Sequence, residues 1–167
     1  MKRTIKNIGT ARLARAGLLT ALIVICTAVT KFTTPFGGYV HLGDGPVIMS
    51  GLVLGIFGAA PAAIGSALSD FLAGFPLFAG FSAVIKGVMA YIAGRFLAGE
   101  KRVTPRNAAI MIALFIWMIA GYFAANWAIY NLEIAVWALG GDAIQAAVGI
   151  AVSFAFIHIA PRVVRRK

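Results

Sequence analysis

The sequence predicts an all-α integral membrane protein: one domain over residues 1–167, built of six transmembrane helices with both termini in the cytoplasm. Three observations carry that reading. The chain is 61% hydrophobic and only 12% charged, with a mean hydropathy of +0.93, whereas a water-soluble globule carries roughly 25% charged residues. Uncharged runs cover residues 16–30, 45–69, 71–85, 107–132 and 143–161, and a helix that crosses the hydrocarbon needs about 20 mostly apolar positions. The Lys and Arg residues, Lys31 and Lys86 excepted, cluster at residues 2–15, 95–106 and 162–167, while Asp44, Asp70, Glu133 and Asp142 fall between those clusters. Under the positive-inside rule all three basic clusters face the cytoplasm, so an even number of crossings separates each pair.

Helix one is expected over 11–32. Lys2, Arg3, Lys6, Arg12 and Arg15 precede its apolar stretch as in a signal peptide, but no small-x-small cleavage site follows, so it reads as an uncleaved helix. Ala14, Gly17, Ala21 and Ala28 lie within about 60° of one another at 100° per residue, a small-residue stripe that lets another helix approach closely. That helix is either a neighbour in the same chain or a partner protein. The segment from Thr33 to Pro46 is too rich in glycine for a span and too aromatic for a plain linker, and it reads as a lid. Run 45–69 divides at Gly55-Ile56-Phe57-Gly58-Ala59-Ala60-Pro61, where turn-forming glycines meet a proline suited to the first turn of a new helix. Helices two and three are therefore placed at 46–59 and 61–73, each only about 20 Å long. An apolar cover, Gly74 to Gly80 with Phe78, leads into helix four at 80–98. Helices five and six follow at 106–131 and 142–161.

Charged or strongly polar side chains within a bilayer cost about 2.5–3.5 kcal/mol at a helix centre and need a partner or a wet cavity. Here they gather toward the outer side. Lys86 lies about 9 Å below the outer end of helix four, and Asp70 near the outer end of helix three. Either the two form a structural ion pair, or Lys86, held by Asp70, also reaches a ligand. Tyr122, Asn126, Tyr130 and Glu133 make one polar and aromatic stripe on helix five, with Trp127 beside it as a pocket wall or an interface anchor. Asp142, Gln145, Gly149 and Ser153 share a face of helix six. Two stripes starting from the outer surface predict a pocket with rings to stack a flat ligand and amides to read its edge. The competing reading is hydrogen bonding between helices without a ligand. Tyr39, His41 and Asp44 of the lid, Asp70, Phe78, Lys86, Tyr122, Asn126, Trp127, Tyr130, Glu133 and Gln145 are the residues expected to bind substrate.

Several functions are excluded. There is no G-x-x-x-x-G-K-[ST] phosphate loop, no H-E-x-x-H and no G-x-S-x-G, so neither built-in nucleotide hydrolysis nor enzyme chemistry is expected. A formal charge of +10 placed at ends and between apolar runs reads as membrane orientation, not nucleic-acid binding. His41 and His158 fall near opposite faces, which argues against a metal; no cofactor is expected, and Cys26 can form no internal disulfide.

The run Tyr39-Val40-His41-Leu42-Gly43-Asp44-Gly45-Pro46, then Gly51 to Gly58, Gly65-Ser66-Ala67-Leu68-Ser69-Asp70-Phe71-Leu72-Ala73-Gly74-Phe75-Pro76, Ile85-Lys86-Gly87 and Ala93-Gly94 resembles the substrate-binding S component of energy-coupling factor (ECF) vitamin transporters. The resemblance covers the chain in length and six-helix layout, with its specific motifs within residues 39–94. It implies a subunit of the prokaryotic cell (inner) membrane that captures a water-soluble vitamin or precursor at the outer face and closes the loop between helices one and two over it. It also implies docking, through the small-residue face of helix one, onto a transmembrane coupling protein that bears two ATPases. The family's A-x-x-x-A docking motif corresponds to Gly17-Leu18-Leu19-Thr20-Ala21, with glycine in first place. The alternative is a self-sufficient small transporter or channel, which is expected to carry charged residues along the full membrane depth.

Overall fold

The computed structural model describes residues 9–33, 39–100 and 102–164. The basic residues Lys2, Arg3, Lys6, Lys101, Arg165, Arg166 and Lys167, and lid residues 34–38, lie outside the described residues. Among the described residues there are six α-helices: α1 (Thr10–Val29), α2 (Asp44–Leu54), α3 (Ala59–Ala73), α4 (Ala79–Phe96), α5 (Pro105–Ile129) and α6 (Leu132–Val164). A two-residue antiparallel pair, β1 (Phe32–Thr33) and β2 (Tyr39–Val40), shapes the connection from α1 to α2, with Phe32 opposite Val40 and Thr33 opposite Tyr39. Five segments are long and apolar enough to cross a membrane: Thr10–Val29, Asp44–Ala73, Pro76–Phe96, Pro105–Ile129 and Leu132–Ile159.

The second of these segments is folded back on itself. Run straight, its 30 residues would carry Asp44 and Asp70 roughly 40 Å apart at 1.5 Å per residue. Instead both carboxylates come within electrostatic reach of Tyr39. The reversal occurs at a 3₁₀ turn, Gly55–Gly58, entered through Gly55 at φ 65°, a left-handed conformation that glycine adopts without steric cost. Ser50 pins the turn by donating to the carbonyls of Val47 (2.7 Å) and Gly58 (2.9 Å). Gly94 of α4 lies flat against the Gly55 carbonyl, where a methyl group would meet backbone. Pro61 falls in the first turn of α3, the place where its missing amide hydrogen costs nothing.

The buried core runs along α4, where Ile85, Met89, Ala90 and Ala93 meet Val47, Ile48 and Leu52 of α2 and Met111, Leu114, Phe115 and Met118 of α5. From α1 only Leu19, Ile23 and Thr27 are buried, one residue per turn on one face. Ala14, Gly17, Ala21 and Ala28 lie on the exposed side, and a Cβ built on Gly17 would meet nothing within 4 Å. The small-residue stripe therefore does not pack within the described chain. Leu18, Ile25, Phe71, Ile116 and Trp137 are more than 40% exposed, an apolar outer surface that suits lipid and not water.

The first five helices start within two residues of where the sequence places them and stop within three, save that α2 ends at Leu54, five residues short of 59, because the turn begins at Gly55. Thr104 caps α5 by accepting from the Asn107 amide, with Pro105 in the first turn. The exception is α6, which begins at Leu132 and not at 142. Asn131 caps it by accepting from the Ile134 amide at 2.9 Å, and the helix runs through Gly140 and Gly141 without a break.

Candidate functional site

The lid, the end of α3, the turn that carries Phe78, and facing stretches of α5 and α6 line a cavity of about 40 Å³. Of the residues predicted to bind substrate, Tyr39, His41, Asp70, Phe78, Tyr122, Asn126 and Gln145 line it, together with Val40, Ala138, Gly141 and Asp142. Asp142 was legible on the polar face of the sixth helix, one turn before Gln145; Ala138 and Gly141 carried no such signal.

Asp44 and Lys86, also predicted to bind substrate, do not line the cavity; they are buried behind the lining residues Gln145 and Tyr122. The Lys86 ammonium is ion-paired with Asp44 Oδ1, and both side chains are 1% exposed. Lys86 Nζ also stands 5.0 Å from the centroid of the Tyr122 ring, within cation–π range. The partner of Lys86 is thus Asp44, not Asp70 as the sequence suggested. Asp44 is the first residue of α2, and α2 lies between α4 and α6, so its side chain enters the bundle where Lys86 ends. Asp70 instead accepts from the Tyr39 hydroxyl at 2.6 Å, and Ser82, 2.9 Å from Tyr122 Oη, interacts with it as well.

One chain of hydrogen bonds ties the lid to this ion pair. The His41 backbone N–H donates to Gln145 Oε1 at 3.1 Å, and Gln145 Nε2 donates to Asp44 Oδ2 at 2.9 Å. With Lys86 on the other oxygen, a single carboxylate joins α2, α4, α6 and the lid. Further contacts hold the cover shut. The Leu42 amide donates to Thr30 Oγ1 (2.8 Å), and Lys31 Nζ donates to the Ala73 carbonyl (3.0 Å). Tyr39 stacks on Phe75 at 5.1 Å, and Phe75 meets Phe78 edge-on at 6.4 Å.

Three predicted residues stand apart. Trp127 is 57% exposed and packs on Phe123, 6.3 Å away, a position that suits an interface anchor and not a pocket wall. Glu133 is exposed on the first turn of α6. Tyr130 stays at the rim, 6.1 Å from Phe78. The stripe that joined them to Asn126 is interrupted, because α5 ends at Ile129 and Tyr130 leaves helical geometry. Among the described residues no three His, Cys, Asp or Glu side chains gather as metal ligands.

His41 accepts from the Gly43 amide through Nδ1 at 2.9 Å, which requires that nitrogen to be unprotonated. Burial, assisted by Lys86 and opposed by Asp44, lowers its pKa to about 4. An unfolded histidine titrates near 6.5, so between these values the unfolded segment binds more protons than the closed lid. Stability contributed by the neutral ring is therefore complete above about pH 6.5 and lost as pH falls toward 4. The protection of the His41 and Leu42 amides, their hydrogen exchange relative to the intrinsic rate at each pH, should fall over that window, and His41→Gln should flatten the response. Protection that does not change with pH in the parent protein would show that His41 does not hold the lid.

A family model for the ECF-type riboflavin transporter, S component, matches residues 7–160. A protein of Pyrococcus woesei, described as an uncharacterized protein in the gap 3' region, is 29% identical over 133 residues, which span 77% of this chain and 86% of that relative.

Proposed function

Because the chain belongs to the ECF-type riboflavin transporter S component family, we propose that it is the substrate-capture subunit of an ECF-type importer in a prokaryotic cell membrane. On this reading it binds a water-soluble vitamin or precursor from the extracellular side, with the lid as the outer gate. The membership itself makes it a membrane transport protein of a family that is not enzymatic. The observation that carries the capture role is the lidded, polar-lined cavity between the lid, α3, α5 and α6. At about 40 Å³ it is well below the roughly 300–1,000 Å³ of small-molecule sites. Ligand entry therefore requires the Tyr39, Leu42 and Lys31 contacts to release and the rings of Phe75 and Phe78 to move.

Six crossings, with α2 and α3 as two short spans, put the Arg95–Arg106 cluster and both termini in the cytoplasm and the lid outside, in keeping with the charge asymmetry. The exposed small-residue face of α1 is then free for a transmembrane coupling protein bearing two ATPases. Reconstitution tests this division of labour. Vesicles holding this chain alone should bind ligand without accumulating it, and accumulation should require the coupling protein, the ATPases and ATP. Concentrative uptake by the chain alone would establish a self-sufficient transporter.

A further inference from the structure

We propose that the seam between α4 and α5 holds one acyl chain of an anionic phospholipid, whose headgroup phosphate is bound by Arg106 and Arg95. This site is separate from the lidded cavity and does not depend on which molecule that cavity takes.

The sequence itself leaves the seam open. On α4, Val88, Ile92 and Phe96 follow one another at steps of four and form a ridge, and the facing ladder on α5 is Ala109, Ala113 and Trp117, again at steps of four. Ala109 and Ala113 carry only a methyl group each, too short to fill the space against the larger side chains of α4. A groove of about 590 Å³ results, running from Phe96 and Arg106 up to Trp117. Trp117 closes its far end, because the indole N–H crosses the seam and donates to the Ile85 carbonyl at 3.3 Å. Apart from Arg106, every side chain lining this groove is apolar or aromatic.

Length and charge together select the occupant. From Arg106 to Trp117 helix α5 rises roughly 16 Å at 1.5 Å per residue, about half of a hydrocarbon core roughly 30 Å thick. The groove thus has the depth of one leaflet, with its basic end where a headgroup lies. Arg106 is exposed there, and among the described residues its ion pair is a long one, 3.9 Å to Glu100, with 63% of the Arg106 side chain accessible. Such a pair holds the guanidinium only weakly. The Arg95 guanidinium stands 5.6 Å from the centroid of the Phe96 ring, and Phe96 lines the same groove. Lys101 and Arg102 follow in the connection, and Glu100 is the only acidic residue between Asp70 and Glu133. Guanidinium forks match phosphate oxygens, and basic pockets between transmembrane helices bind anionic headgroups. A soluble anion would use the arginines and leave the groove empty, and an apolar partner helix would fill the groove and leave the arginines unanswered. A phospholipid with net negative charge uses both.

The test uses the full-length protein with Trp127→Phe and Trp137→Phe, which leaves Trp117 as the single tryptophan. The protein is reconstituted into vesicles of equal parts phosphatidylglycerol and phosphatidylcholine, with bromine on the distal acyl carbons of one lipid at a time, since bromine quenches indole fluorescence only at short range. Brominated phosphatidylglycerol should quench Trp117 with an apparent preference of about fivefold or more over brominated phosphatidylcholine. Arg95→Gln combined with Arg106→Gln should bring that ratio close to one without changing the thermal midpoint, as both side chains are exposed. Ala113→Phe, which fills the groove and keeps both arginines, should lower the ratio as well. Equal quenching by the two lipids in the parent would mean bulk lipid only, and no quenching by either would mean that protein covers the seam; each result overturns the proposal. A preference that survives the double arginine replacement would take the headgroup away from Arg95 and Arg106, and one that survives Ala113→Phe would take the acyl chain out of the groove. The same preference in a protein whose single tryptophan is Trp127 would reduce the effect to general enrichment of anionic lipid around the chain.

Discussion

Lys86→Met should unfold the protein or lower its stability by about 3–5 kcal/mol, the cost of leaving one member of a buried ion pair without the other. Asp44 is 0% exposed, so water cannot replace the lost ammonium. The damage should spread, because the same carboxylate accepts from Gln145, which in turn holds the His41 backbone of the lid. Asp44→Asn should be damaging for the reciprocal reason, stranding Lys86 at 1% exposure. The double variant, Lys86→Met with Asp44→Asn, leaves no unpaired charge and should recover most of the loss. Asp70→Asn should cost less, since it weakens the bond from Tyr39 without isolating a cation. Thermal unfolding of the four purified variants without added ligand decides the matter. A single Lys86→Met protein as stable as the parent would show that no buried charge depends on Lys86.

That result turns on a pairing the sequence did not reveal, and the reason is physical. Asp70 and Lys86 fall at the outer ends of consecutive helices, so sequence distance favours them as partners. Asp44 stands in a glycine-rich stretch that reads as loop. It faces Lys86 only because the helix starts at Asp44 itself and is wedged between α4 and α6, a long-range packing outcome that no local pattern encodes. The hairpin of α2 and α3 was legible because its causes are local: Gly55 and Gly58 for the reversal and Pro61 for the restart. The start of α6 was misplaced for an equally local reason. Gly140-Gly141-Asp142 has the composition of a helix boundary, while the residue that caps the helix, Asn131, sits next to Tyr130 on what looked like a continuing stripe. Within the site, the residues read from helical faces, Tyr122, Asn126 and Gln145, line the cavity. The positions past the end of α5, where that periodicity no longer applies, do not.

Gly17→Leu should abolish most uptake while leaving the isolated protein almost untouched. On α1 the chain's own packing uses Leu19, Ile23 and Thr27, and Gly17 faces open space. A leucine there creates no internal clash, and in a lipid environment it replaces one apolar contact with another. Thermal midpoint and ligand affinity should therefore stay near the parent's. A coupling protein that approaches through the small residues would meet four extra carbon atoms at the closest point of contact. Overpacking of that kind costs about 1–3 kcal/mol, or roughly a 5- to 150-fold loss of docking affinity. Ala21→Leu, one turn further along the same exposed face, should behave alike. Ile116→Leu on the exposed side of α5, 60% accessible, is the control for an apolar change outside the docking face and should transport normally. Two measurements on the same preparations, binding to the isolated chain and ATP-dependent accumulation with the coupling subunits, separate the outcomes. Normal uptake by Gly17→Leu would move the docking surface away from α1. A fall in thermal midpoint alongside the loss of uptake would mean that the stripe packs against the protein itself after all.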